Sequence, residues 1–158
     1  MPRLRSSNER TGDVTVLWEG AVAIRRELFE RVGGWWEQLE MVHEGVDLAW
    51  KVLDAGYSVR YLAEPAVLHP PSAGAQYSHY FGARNRVWIA RRYLPLPLSA
   101  LYVGAFALRT LPRLRSRAAL REALRGYRDG VAQRAGERRR LSARTLVAMT
   151  RAGRPPIM

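Results

Sequence analysis

Glu44-Gly45-Val46-Asp47-Leu48-Ala49-Trp50-Lys51-Val52-Leu53-Asp54-Ala55-Gly56-Tyr57 is the stretch on which the reading of this sequence turns. Val46, Ala49, Trp50 and Leu53 recur at i, i+3, i+4 and i+7, the spacing that places side chains on one helix face. The pattern predicts a helix over 44–55. Glu44 falls in its first turn, where the helix dipole favours a carboxylate, and Gly56 supplies the stop. Beyond Gly56, Tyr57, Val59 and Tyr61 alternate with Ser58 and Arg60, which predicts a strand over 57–62. Glu64-Pro65 interrupts that strand, Ala66-Val67-Leu68 resumes it, and His69-Pro70-Pro71-Ser72 ends it in a stiff loop.

Toward the N-terminus, Arg25 to Val32 reads as a short helix with Leu28, Phe29 and Val32 on one side, closed by Gly33-Gly34. Val14-Thr15-Val16-Leu17-Trp18 reads as a buried strand. Residues 1–13 are a polar lead-in without the apolar stretch of a secretory signal. The order strand, helix, helix, strand predicts part of an α/β sheet over 14–79. A helical extension over 80–135 and a basic tail over 136–158 complete the expected organisation.

The 158 residues carry 26 Lys+Arg against 14 Asp+Glu, a formal charge of +12, and no cysteine. Disulfides, thiolate zinc sites and thiol nucleophiles are thereby excluded. A hydrophobic content of 47% is too high for a wholly disordered basic tail. Twenty-five of the basic residues are arginine and Lys51 is the only lysine, an imbalance that reads as coding bias. Residues 1–72 hold 8 basic and 11 acidic side chains, while 73–158 hold 18 and 3, so the halves carry −3 and +15. Such asymmetry points the second half toward an anionic surface, phospholipid or nucleic acid, with a merely solvated basic face as the plain alternative.

Within that half, Tyr80 to Tyr93 interleaves aromatics with arginines in a predicted helix. The uncharged segment 93–108 begins with Pro95 and Pro97, which disfavour a regular helix there. It is also shorter than the roughly 20 apolar residues a spanning helix needs. A buried helix, an interfacial segment or a shallow re-entrant one is expected instead of a full span. A further helix is predicted from Ser116 to Gln133, with Leu120, Ala123, Leu124, Tyr127 and Val131 on one face beside Arg117, Arg121, Arg125 and Arg128. That pattern suits a membrane surface, or equally a helix packed on its own domain with solvated arginines.

Compact catalytic motifs are absent: no phosphate-binding loop, no GxSxG elbow and no HExxH helix. His43, His69 and His79 are not spaced as a metal cluster. Glu44 and Asp47, three apart on one helix, suit a base or a sugar-hydroxyl ligand, and equally a simple complement to the helix dipole.

Several blocks in order resemble the second half of a family 2 glycosyltransferase of the GT-A fold. Gly20 to Trp35, GAVAIRRELFERVGGW, is similar to that family's Gly-Ala strand end followed by an "RRE" helix closing in "VGG". Glu44 to Tyr57 resembles its "EDVDL…R…AGY", and Arg60 to His69 resembles its strand ending in histidine. Arg84-Asn85-Arg86 and the apolar segment after it resemble the region beyond the catalytic core. The resemblance spans about residues 14–110 and implies a partial GT-A (nucleotide-diphospho-sugar transferase) domain, α/β in class, followed by a helical, basic, membrane-leaning extension.

The implied reaction is inverting transfer of a sugar from a nucleotide-sugar to a hydroxyl of an envelope or lipid-linked glycan. With the family's base position occupied by Gly45, the resemblance leaves Glu44 or Asp47 as the residues that could substitute in catalysis. Gly20, Ala21, Trp50, Arg84 and Arg86 fall to the substrates, and His69 to a divalent cation, magnesium or manganese. It also implies a peripheral place at the cytoplasmic face of the cell membrane. Two departures qualify it. The family's catalytic aspartate position is Gly45 here, and the nucleotide-binding units with their Asp-x-Asp motif would precede Val14. The 158 residues are therefore expected to be inactive alone, as a split, truncated or relic form. The competing expectation is a non-enzymatic module binding an anionic membrane surface. A nucleic-acid partner has charge and the aromatics of 80–93 behind it but no recognised binding motif.

Overall fold

Helix, not sheet, organises this chain. A computed structural model describes residues 11–17, 20–64, 79–151 and 155. In chain order they form β1 (Gly12–Val14), α1 (Arg26–Val32), α2 (Glu44–Asp54), β2 (Val59–Tyr61), α3 (His79–Tyr93), α4 (Leu96–Thr110), α5 (Arg117–Ala132) and α6 (Ala143–Arg151). The two strands pair antiparallel, Gly12 opposite Tyr61 and Val14 opposite Val59.

The expected partial GT-A domain of α/β class is corrected by this architecture: 63% of the described residues are helical, and their only sheet is that two-stranded ribbon. The physical reason lies in strand length. Three-residue strands cannot form a sheet face wide enough to carry helices. Of the run Val14 to Leu17 only Val14 enters β1, and Val16 is exposed. The expected strand piece 66–68 lies outside the described residues.

The local helix signals act as read. Gly33 adopts φ +83° and ends α1, its N–H donating to Glu30 O, and Gly56 at φ +86° follows α2. Ser116 caps α5 by accepting from the Ala119 N–H at 3.0 Å. Pro95 precedes α4 and Pro97 sits in its first turn, where proline's missing N–H costs no helical bond, so the segment is helical from Leu96 onward. No helix among the described residues is long and apolar enough to cross a membrane.

α3 is the hub. Residues 82–90 are all buried. Trp88 stacks on Trp36, and Tyr93 meets Trp50 edge-on at 5.7 Å. Leu39, Ile89, Leu94, Tyr102, Leu141 and Met149 complete this core, while Val32, Leu48 and Val52 form a smaller cluster between α1 and α2. Leu141 and Met149 come from the expected tail. Asp54 Oδ1 accepts from the Ser142 N–H at 2.8 Å and from Thr145 Oγ1 at 2.9 Å, fixing the start of α6 against the end of α2.

α5 closes on α3 through glycines. A Cβ at Gly126 would lie 2.3 Å from Tyr80 O, and one at Gly130 would lie 2.8 Å from Val87 Cβ. Arg91 Nη1 then donates to the carbonyls of Gly130, Val131 and Gln133 at 2.7–2.9 Å, satisfying the C-terminal end of α5. Gly126→Ala should cost about 2 kcal/mol or more, because backbone rather than a flexible side chain must move. Gly104→Ala, in open space on α4, should be neutral or stabilise by up to about 1 kcal/mol. Urea denaturation of the two variants measures the contrast.

Candidate functional site

The acidic start of α2 is built in two layers, a buried ion pair beneath and a clasped loop in front. Asp47 is fully buried. Its Oδ2 lies 2.6 Å from Lys51 Nζ one turn on, and its Oδ1 accepts from the Tyr93 hydroxyl of α3. Lys51 Nζ also donates to Gly34 O at 2.9 Å, beyond the end of α1. Burial, and then the Asp47 carboxylate, push the Tyr93 phenol far above its ordinary range, so it stays a donor. One carboxylate therefore joins α1, α2 and α3.

The loop before α2 is strained. Glu40, Val42 and His43 have φ of +61°, +67° and +76°, a region that costs side-chain-bearing residues on the order of 1–3 kcal/mol each. Two neighbours on α3 hold it there. Asn85 is fully buried, with its Nδ2 2.8 Å from Leu39 O, 2.6 Å from Met41 O and 3.0 Å from Val42 O. Arg84 donates to Glu40 Oε1 at 3.0 Å, to the carbonyls of Gln38 and Leu39, and to Asn85 Oδ1. The Arg84 guanidinium lies 4.3 Å from the Trp88 ring centre. Arg86 sits 4.0 Å from the rings of both Tyr102 and Phe106.

The sequence-assigned residues thus fall into separate places. Glu44 begins α2 and is half-buried, Gly45 and Asp47 are buried behind it, and Trp50 belongs to the core. Arg84 and Arg86 are buried in the loop clasp and against α4 rather than held out to solvent. Gly20 and Ala21 are exposed in a turn. His69 lies outside the described residues. An open cleft of about 280 Å³ between the ribbon and α6 is lined by Asp13, Thr15, Tyr57 and Arg144 and includes none of these residues. Asn85 is the residue the sequence reading left without a role. It stands between Arg84 and Arg86 in a helical run that is buried from 82 to 90.

His69, the residue assigned to a divalent cation, is not among the residues described. Among the described residues no three His, Asp or Glu side chains converge, and the second oxygen of Asp47 already faces an ammonium. Comparison with protein-family models, with curated proteins and with solved structures finds no match.

Two outcomes follow from this geometry. Asp47→Asn strands the Lys51 ammonium and should cost about 3–5 kcal/mol. Replacing both partners, Asp47→Leu with Lys51→Met, should recover part of that loss in urea titrations.

His43 supplies the second. Its Nδ1 is buried without a hydrogen-bond partner among the described residues. Burial first, then the Arg86 charge, pushes its pKa from 6.5 down to about 4. The unfolded chain takes up this proton near pH 6.5 and the folded chain only near 4, so stability is lost as pH falls through that window. The loss should reach roughly 3 kcal/mol. His43→Asn tolerates the left-handed backbone and should flatten the change in urea midpoint between about pH 7 and pH 4.5.

Proposed function

We propose that this chain is the acceptor-side portion of a family 2 glycosyltransferase, which receives a sugar from a nucleotide-sugar onto a hydroxyl of an envelope or lipid-linked glycan. The carrying observation is the strained loop Glu40–His43, held by Arg84 and Asn85 directly before Glu44. Strain of this kind gathers where a side chain must be presented in one orientation. Its location at the block that resembles the family's catalytic "EDVDL" supports the reading, as does the packing of the neighbouring blocks around α2.

Of the two acidic residues at the start of α2, Asp47 is fully buried and Glu44 is only half-buried, and we assign the acceptor to Glu44 on that difference in access. In the proposed reaction Glu44 takes the acceptor hydroxyl proton while that oxygen attacks the anomeric carbon and the nucleoside diphosphate departs. Gly45 brings no carboxylate of its own. In this reading nucleotide binding is assigned to a donor-binding half and not to the residues around α2.

The test joins this chain to the donor-binding half of an active family 2 enzyme and follows radiolabelled sugar into a membrane-lipid fraction. The isolated chain should give no transfer and the chimaera measurable transfer. Gly45→Asp should raise the chimaera's rate by about tenfold or more, and Glu44→Gln should lower it by about 10²-fold. A folded chimaera that transfers no more sugar than the donor half alone, with or without Gly45→Asp, overturns the reading.

A further inference from the structure

α5 leaves an apolar row outside the core. Ala123, Gly126 and Gly130 are its buried side, seated on α3, whereas Leu120, Leu124 and Val131 are 38%, 51% and 66% exposed. Their spacing of four and seven residues makes them one stripe. An exposed arginine stands three residues ahead of each: Arg117, Arg121 and Arg128. The acidic residues of the helix, Glu122 and Asp129, fall on the other side from the stripe. Asp129 there is occupied by the Tyr80 hydroxyl and by Arg128.

We propose that α5 seats this chain on an anionic phospholipid bilayer, lying in the plane of the surface. Leu120, Leu124 and Val131 enter the boundary between headgroups and acyl chains, and the arginines meet lipid phosphates. Helix length selects this orientation: 16 residues reach about 24 Å, short of the roughly 30 Å hydrocarbon core. Charge selects the occupant. A second copy paired across a two-fold axis would bring the same arginine rows together. A nucleic acid would satisfy the arginines and leave the leucines in water. Only an anionic bilayer takes both the apolar stripe and its positive flank.

The inference stands apart from the enzymatic reading. The full chain is floated with vesicles of phosphatidylcholine alone and with 30 mol% phosphatidylglycerol (about ten times less salt in one arm than the other, to read screening). Binding is expected with the anionic vesicles, weakened by salt, and at least tenfold less with phosphatidylcholine alone. Leu120→Gln with Leu124→Gln should reduce anionic-vesicle binding at least tenfold, and Arg117→Gln with Arg121→Gln should erase the preference for the anionic lipid. All four positions are exposed, so unchanged thermal unfolding shows that the fold persists; a pair that unfolds is replaced by its single variants. Absence of flotation overturns the proposal, as does binding that both pairs leave intact. A dimer dissolved by the leucine pair without vesicle binding, or RNA retention unaffected by it, also overturns it in favour of the other occupant. Flotation in a chain whose chimaera never transfers sugar upholds this inference while removing the enzymatic one.

Discussion

A carboxylate without access to water has to be paired, and in this chain Asp47 is paired from two helices at once. Lys51 neutralises it from within α2, the Tyr93 hydroxyl reaches it from α3, and the same ammonium continues to Gly34 O at the end of α1. A buried ion pair of this kind adds little net stability over an apolar substitute, but its geometry admits few alternative arrangements. It therefore acts chiefly by fixing the relative placement of α1, α2 and α3. The only lysine of an arginine-rich chain fills this position. A slender ammonium point charge suits a site enclosed on all sides, where a planar guanidinium would need more room.

From that joint α4 and α5 are assembled on α3, while α6 is tied to the end of α2. One of its faces bonds the strained loop through Arg84 and Asn85, while Trp88, Ile89 and Tyr93 fill the main core. Another receives α5 so closely that two glycines are required. Glycine at Gly126 and Gly130 lowers intrinsic helix propensity by about 1 kcal/mol apiece. The close seat offsets this through backbone contact, and Arg91 adds the end cap. Apolar side chains that would otherwise have packed α5 are thereby left outside. The exposed leucines of α5 and its glycines are two consequences of one packing solution.

The positions of α1 and α2 were legible in the sequence because their determinants are local, the stripe through Val46 and Trp50 and the left-handed stops at Gly33 and Gly56, whereas α6 fell in the expected tail. The sheet was misjudged because alternation over Tyr57 to Tyr61 describes a strand, not its number of neighbours. Nothing local revealed that Lys51 and Tyr93 would both enclose Asp47. The bonds from Asp54 to Ser142 and Thr145 span about ninety residues, which is why the tail's attachment was invisible. Asn85 was similarly opaque: its partners are backbone carbonyls, which carry no sequence identity.

The strain before Glu44 and the exposure of α5 meet in α3. Asn85 and Arg84 hold the loop from the same two turns whose Tyr80 O, Ala83 and Val87 form the bed of α5. A helix this short, buried along 82–90 and gripped at both faces, moves as one piece. The clasp on the loop before Glu44 and the bed of α5 are thus set by one helix with no linker between them, so a substitution on α3 that shifts one contact displaces the other.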